Sequence, residues 1–435
     1  MHIKTLKLTN FRRFEEFELS FDDRLTVLIA RNGAGKTSIL DALAIALGPF
    51  LTRLPKVSGL NPKITDIRVF PDGRQPPYMR VKCVADNGVV WDRTERRDKT
   101  KKTAKDIHKG VGVSQLNDFV DSLIDAYNED KPFTLPVFIY YGTGRGVFDV
   151  PQRKRDFNKQ FTRFGALQGA LESRTNFKRF VEYFYYLEGE ESALQKEKRS
   201  FDVEIPELRA IRTAINRLMP EFSNIRPVYP AGIMVDWDKD GESKELRIEQ
   251  LSDGYRTTLA MVMDIAARMA EANSDLEEPL NTSGVILIDE VDLHLHPEWQ
   301  REFLPKLIEV FPNIQFVVTT HSPFIIQSVK VGKLIDLDQD DPEDSPNLNK
   351  ELSVEDITEQ YMGVEQVYRS SDFMEQMKLA DEYYALLDEG IPDTDNKVVE
   401  LEAKLDKLEE RFADNPAYVA MLKSERRKQD KQQGR

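Results

Sequence analysis

Disulfide chemistry is excluded at once, because the 435-residue chain has a single cysteine, Cys83, set in an alternating run where it reads as core filler. Metal centres of imidazole and thiolate are poorly supplied as well. There are five histidines, and the alternating pair His294 and His296 has no third ligand placed beside it. No apolar run approaches the roughly 20 residues that cross a bilayer, and the N-terminus lacks a signal-peptide core, so the expectation is a cytoplasmic protein with no membrane partner. A basic surface throughout is missing too. With 61 Lys and Arg against 75 Asp and Glu the net charge is −14, so any nucleic acid contact must be local or come through a partner.

What is present is an ordinary globular composition, 40% hydrophobic and 31% charged, in a chain with room for two or three domains and a large core. The most informative stretch is Leu25 to Leu43. A short apolar run, Leu25-Thr26-Val27-Leu28-Ile29, ends in Ala30-Arg31-Asn32-Gly33-Ala34-Gly35-Lys36-Thr37-Ser38 and turns helical with Ile39, Leu40, Ala42 and Leu43. A buried strand delivering a glycine-rich turn to a helix N-terminus aims its N–H groups and the helix dipole at a polyphosphate. In such a loop Asn32, Gly33, Ala34, Gly35 and Ser38 surround the phosphates, Lys36 reaches the β and γ oxygens, and Thr37 ligates Mg²⁺. One position departs from the pattern. Ala30 stands where glycine is expected, and its Cβ penalises a left-handed backbone by about 1 kcal/mol or more.

Ahead of this loop Phe17, Leu19 and Phe21 alternate with polar residues, a strand turning at Asp22-Asp23-Arg24 into the loop's own strand. Arg12 and Arg13 precede it, either near the polyphosphate or on a solvated turn. A Pro- and Gly-punctuated segment runs from Gly48 to Pro77, and a hairpin follows, Met79 to Cys83 and Val89 to Trp91 across Asp86-Asn87-Gly88. Arg93 to Lys109 is basic by about five charges and reads as a mobile charged loop or as a contact to a phosphate backbone or partner. Leu135 to Tyr141 is a buried strand ending in Gly142-Thr143-Gly144-Arg145-Gly146, with Arg145 either a ligand contact or a turn residue. Phe157 to about Met219 is helical, broken by Pro206, with Phe177, Phe180, Val181, Tyr183, Phe184 and Leu187 on one face. Val235 and Trp237 then pair with Leu246 and Ile248 in a second hairpin.

The other half of a phosphate site comes late in the chain. Leu251-Ser252-Asp253-Gly254-Tyr255-Arg256 opens a helix whose serine hydroxyl and glycine N–H suit an anion. Val285-Ile286-Leu287-Ile288-Asp289-Glu290 is a strand ending in two carboxylates, Asp289 for Mg²⁺ and Glu290 to orient or deprotonate an attacking water. Phe316 to His321 is a further buried strand, with His321 placed to reach the γ-phosphate or the water. The acidic run from Asp336 to Asp344 reads as a solvated linker. Val398, Leu401, Leu405, Leu408 and Phe412 form a seam at 3-4-3-4 spacing, ended by Asn415-Pro416, that packs on Phe373 to Leu387 or on another subunit. The extreme C-terminus is basic and reads as disordered.

Asn32-Gly33-Ala34-Gly35-Lys36-Thr37, Leu251-Ser252-Asp253-Gly254-Tyr255, Ile288-Asp289-Glu290-Val291-Asp292-Leu293-His294-Leu295-His296-Pro297 and Thr320-His321-Ser322-Pro323 together resemble the ABC-type ATPase heads of the RecF, Rad50 and OLD group. The likeness covers roughly residues 1–145 and 225–335. With the Tyr140 to Arg145 segment, the compact helical insert and the short tail, the chain looks most like the PtuA ATPase subunits of Septu-type phage-defence systems. That resemblance implies an α/β fold: an ABC-type P-loop head with an antiparallel β subdomain, its halves at 1–150 and 225–340, a helical insertion at 151–224 and a helical tail at 345–435.

It also implies ATP and Mg²⁺ as cofactors and a head-to-head homodimer, open to higher assembly. In it Ser252 and Gly254 contact the ATP held by the other protomer, Asp292 faces the dimer, Glu290 is the catalytic base and His321 the switch histidine. Asp253 replaces the second glycine of the usual signature and no Q-loop glutamine can be assigned. With Ala30, these departures suggest slow hydrolysis and ATP as a conformational signal. OLD proteins carry a Toprim nuclease beyond the head, and this tail is expected to be too short and too helical for one. The implied function is an ATPase that regulates a partner HNH-type nuclease in anti-phage defence and meets nucleic acid through the complex. The alternative is a RecF-like DNA-binding repair ATPase, which would bind DNA alone in a salt-sensitive way.

Overall fold

The computed structural model describes residues 1–146, 161–173, 177–228, 232–239 and 241–339, together with 354, 357–358, 378–379, 382–383, 385–386, 391–392 and 395–411. Two compact units are present, Met1–Met362 and Gly363–Arg435. In the first, β1 (Ile3–Phe11), β2 (Phe14–Ser20) and β3 (Leu25–Ile29) lead into α1 (Lys36–Arg53) and the hairpin of β4 (Tyr78–Ala85) and β5 (Val90–Arg96). Then come α2 (Lys101–Asp106), α3 (Ser114–Asn128), β6 (Val137–Tyr141), α4 (Lys178–Lys198), α5 (Pro206–Leu218), β7 (Phe222–Pro227), β8 (Ile233–Lys239) and β9 (Glu242–Arg247). The unit continues through α6 (Asp253–Ala272), β10 (Gly284–Ile288), α7 (Pro297–Val310), β11 (Ile314–Thr319), α8 (Pro323–Ser328) and β12 (Lys333–Asp336).

The central layer is a five-stranded sheet in the order β12-β3-β11-β10-β6, parallel at every pairing. Every residue of β3, β6, β10 and β11 is buried, as a parallel sheet covered on both faces requires. That is why these segments read as unbroken apolar runs. An antiparallel sheet in the order β2-β1-β4-β5 forms a second layer, and β7-β8-β9 a third. The α/β head with an antiparallel subdomain is therefore present.

Two buried side chains fasten the β2-β1-β4-β5 sheet to its neighbours. Gln315 on β11 donates Nε2 to the carbonyls of Ile3 and Asp22 at 2.8 Å each and accepts the Ile3 N–H at 2.7 Å. Trp91 on β5 donates its indole N–H to the Ala46 carbonyl of α1 at 2.7 Å. The turn at Asp22 to Arg24 thus joins strands of different sheets. Asp22 Oδ1 accepts the N–H of Arg24 and of Leu25 to fix that crossing.

Several local expectations change. Helix α1 runs on through Gly48-Pro49 to Arg53, and Gly48 lies so close to the Leu60 carbonyl that a Cβ would sit 2.0 Å from its oxygen. The basic stretch is not one mobile loop: Arg93 to Arg96 belong to β5, and Lys101 to Asp106 form α2, capped by the Thr100 hydroxyl. In the second hairpin Val235 pairs with Leu246, but Trp237 faces Lys244 and Ile248 has passed into a 3₁₀ turn. Asp336 is no linker residue but the buried end of β12, while 340–344 lie outside the described residues.

The helical reading of Phe157 to Met219 holds only from α4 on: Phe180, Tyr183, Phe184 and Leu187 are buried on α4 and Pro206 starts α5, whereas 161–173 carries just a 3₁₀ turn at Arg163–Leu167 and 157–160 lie outside the described residues. Cys83 is fully buried, and desolvation pushes its thiol pKa up, away from reactivity. No helix among the described residues is long and apolar enough to cross a membrane.

In the second unit α9 (Asn396–Arg411) buries Val398 and Leu405 against Tyr383, with Leu379, Leu386, Ile391 and Leu401 around them. The seam is thus satisfied within its own chain, as the first of the two readings had it. The Leu408 side chain and everything from Phe412 on, including Asn415-Pro416 and the basic end, lie outside the described residues.

Candidate functional site

The loop between β3 and α1 takes left-handed backbone at Gly33 (φ 83°) and Gly35 (φ 105°), where a side chain is penalised. Ala30 is not among the left-handed residues, so the strain expected there does not arise. Gly35 is required twice over, since a Cβ on it would lie 2.7 Å from Phe14 Cζ and 2.9 Å from Arg13 Cδ. It is also the N-cap of α1 and offers no side-chain oxygen to the first turn, which leaves those N–H groups for an anion.

Lys36 is 7% exposed, and its Nζ donates to the Ala30 carbonyl at 2.8 Å. Burial draws its pKa down, opposed by Asp289, Asp338, Glu290 and Asp292. Asn32, Gly33 and Thr37 are exposed, Ser38 is half-buried and Ala34 buried. Of the two upstream arginines, Arg13 touches the loop, giving Nη1 to the Gly33 carbonyl at 2.6 Å. Arg12 instead links α1, through Asp41 at 2.6 Å, to the 3₁₀ turn Ile64–Asp66, through Asp66 at 3.0 Å.

The carboxylates meet the loop from β10. Asp289, 3% exposed, accepts the Thr37 hydroxyl on Oδ2 at 2.8 Å and the Thr319 hydroxyl on Oδ1 at 2.6 Å. The same Thr319 oxygen accepts the Glu290 N–H at 2.7 Å. One buried threonine at the end of β11 therefore sets both acidic residues. Glu290 itself is left-handed (φ 47°), which is uncommon for a residue with a Cβ. The paired hydroxyl and carboxylate are hard oxygen donors and fit Mg²⁺. Among the described residues no group of three or more His, Cys, Asp or Glu could hold a metal alone, so phosphates and water would complete that shell.

Past Glu290 the chain curls back. Asp292 Oδ1 accepts the Thr320 hydroxyl at 2.5 Å and the His321 N–H at 3.4 Å. Partial burial and then the Lys36 charge hold the His321 pKa below its ordinary value, so the ring is neutral at neutral pH. Gln300 on α7 accepts the Ser322 hydroxyl at 2.5 Å and donates to the Leu295 carbonyl at 2.8 Å. His296 is the N-cap of α7, accepting the Glu298 N–H.

The signature segment lies at the start of α6. Ser252 is its exposed N-cap, with no capping bond from its hydroxyl. Gly254 is pressed onto the loop after β10, where a Cβ would stand 2.3 Å from the His294 carbonyl. Asp253 pairs with Arg256 at 2.6 Å, which compensates the carboxylate that replaces glycine. The structure thus joins Lys36, Thr37, Asp289, Glu290, Asp292 and His321 in one cluster. No hydrogen bond among the described residues ties Ser252 or Gly254 to the phosphate loop.

Sequence reasoning missed Thr319 and Thr320, which looked like two more buried strand residues. It also missed Asp338, which accepts the Arg31 N–H at 2.6 Å and was read as linker. The Asp-Glu of β10 and the Thr-Thr-His of β11 could have signalled the threonines, because adjacent parallel strands end side by side. Arg145 was left between ligand and turn. It is 2% exposed and points under the acidic turn.

A family model described as "AAA domain" matches residues 5–223, about half of the chain, and one described as "AAA ATPase domain" matches residues 154–326. The chain is 23% identical over 377 residues to the retron Vc95 probable ATPase of Vibrio cholerae serotype O1 biovar El Tor, covering 76% of this chain and 72% of that protein. It is 25% identical to the retron Ec83 probable ATPase of Escherichia coli, covering 76% and 70%. It is 33% identical over 168 residues to the Septu protein PtuA of Bacillus mycoides (strain KBAB4), covering 38% and 23%. Among solved structures it is similar to an SMC head bound to the C-winged helix domain of ScpA, at 17% identity and TM-score 0.46, covering 77% of this chain and 93% of that one.

Proposed function

The chain belongs to the AAA domain family and is an ATPase, and from that premise we propose that it is the ATP-gated subunit of an anti-phage defence complex. Two copies close head to head on ATP and Mg²⁺ and so regulate a partner nuclease of the HNH type. The observation that carries this reading is the convergence of Thr37, Asp289, Glu290 and Thr319, together with a Ser252 that is exposed and whose hydroxyl makes no capping bond. The defence setting rests on the retron and Septu relatives.

Bound Mg²⁺ would neutralise charge on the β and γ oxygens of ATP. Thr37 and Asp289 would hold it. The N–H groups at the start of α1 bind the phosphates, and Lys36 exchanges the Ala30 carbonyl for them. Glu290, two residues past β10, takes the proton of the attacking water, and neutral His321 orients that water. Ser252 and Gly254 complete the site on the opposite protomer, and closure brings Asp292 to the contact between heads.

Slow turnover belongs to this reading, but on new grounds. Ala30 carries no left-handed strain and Asp253 is paired, whereas Lys36 must leave the Ala30 carbonyl and Asp292 must leave Thr320 before the site is assembled. Turnover on the order of tens per second in the isolated protein would contradict it. The wider reading is tested by co-purifying the protein with the product of the neighbouring gene. A stable complex whose cleavage responds to ATP supports the reading, and no complex with no nucleotide effect contradicts it.

A further inference from the structure

We propose that Arg145 is a positioning residue for the catalytic turn, acting through the backbone of Asp289 and Glu290; this rests on the reading of Glu290 as base. Strand β6 pairs in register with β10, Tyr141 beside Ile288, and the Asp289 N–H donates to the Tyr141 carbonyl at 2.8 Å. Just past that point the two strands part. β6 folds into a 3₁₀ turn over Thr143–Gly146, and Gly142 is fixed against Ser173, where a Cβ would meet the carbonyl oxygen at 2.4 Å. This throws the Arg145 guanidinium beneath the turn that carries the two carboxylates.

There, among the described residues, it donates three hydrogen bonds, each to a main-chain carbonyl. Nη1 donates to Gly142 at 3.1 Å and to Asp289 at 2.5 Å, and Nη2 donates to Glu290 at 2.6 Å. The guanidinium is almost wholly buried, and burial works against its charge, opposed by the nearby carboxylates of Asp289, Asp292 and Glu290. A buried cation aimed at backbone is costly where a neutral residue would serve for packing alone. What it secures here is the left-handed Glu290, a conformation that persists only when its surroundings over-determine it. The planar fork matches two successive carbonyls, which a lysine ammonium cannot do with the same geometry. Thr319 holds the turn by the Glu290 N–H, and Arg145 holds it by the carbonyls of Asp289 and of Glu290 itself.

The test uses the full-length protein with Arg145→Lys and Arg145→Ala, each alone and with Glu290→Gln, read by thermal melting, binding of a fluorescent ATP analogue and ATP hydrolysis. Expected are melting close to wild type for Arg145→Lys, nucleotide affinity within about threefold and kcat lower by about 30-fold or more, with KM little changed. On the Glu290→Gln background Arg145→Lys should cause almost no further loss, because the two act as a unit. Unfolding of both Arg145 variants, equal loss of binding and turnover, or losses that multiply with Glu290→Gln would overturn the proposal. Glu290→Gln alone reports on the base itself: if it hydrolyses normally, the base reading fails, whatever the Arg145 variants do.

Discussion

Thr319→Val removes one oxygen and should disturb both acidic residues. The hydroxyl donates to the buried Asp289 carboxylate at 2.6 Å and accepts the Glu290 N–H at 2.7 Å. A hydrogen bond to a charged group contributes about 1.5–3 kcal/mol, and an orphaned N–H costs about 1 kcal/mol or more. Valine has nearly the same shape, so no cavity term adds. The expected loss is about 2.5–4 kcal/mol of stability by urea denaturation. With Asp289 no longer held on both oxygens, half-saturation by Mg²⁺ in the ATPase assay should rise about tenfold, as 1.4 kcal/mol at that carboxylate would require. Thr319→Ser keeps the oxygen and should stay within about 1 kcal/mol of wild type. Stability of Thr319→Val within about 0.5 kcal/mol of wild type, with unchanged Mg²⁺ dependence, would refute the reasoning.

Gly35→Ala should lose nucleotide binding by about tenfold or more in fluorescence titration, because the new Cβ meets the Phe14 ring at a left-handed position. Ala30→Gly, by contrast, should leave hydrolysis within about twofold of wild type, since that residue is not left-handed. The His321 pKa lies below 6.5, so between the folded value and 6.5 the unfolded chain binds more protons. This contribution to stability is full above pH 6.5 and is lost as pH falls through the folded value. Hydrolysis should accordingly be flat in His321 above neutrality and fall on the acid side, and His321→Asn should remove that acid limb from the pH–rate profile.

Much of the site was legible because its parts are local. A strand, a glycine turn and Gly-Lys-Thr are contiguous, and so is an apolar strand closing in Asp-Glu; each carries its chemistry in a few residues. What escaped were contacts that exist only once strands lie side by side. Thr319 reads as one more buried strand residue until β11 is placed between β3 and β10, and Asp338 reads as linker until β12 pairs with β3 and brings it to Arg31, 307 positions away. Arg145 could be read either way because a glycine-rich turn fixes neither burial nor direction. The strain assigned to Ala30 failed for a related reason: the motif names a residue type, whereas the left-handed angles fall at Gly33 and Gly35.

In the proposed dimer each site draws Lys36 from one protomer and Ser252 from its mate, and mixing two inactive variants distinguishes that arrangement from a site built within one chain. Lys36→Ala and Ser252→Arg should each abolish hydrolysis. If the site is shared, a mixed dimer keeps one intact site, so an equimolar mixture should recover about a quarter of wild-type activity under random pairing. A mixture as inactive as either variant alone would contradict the account.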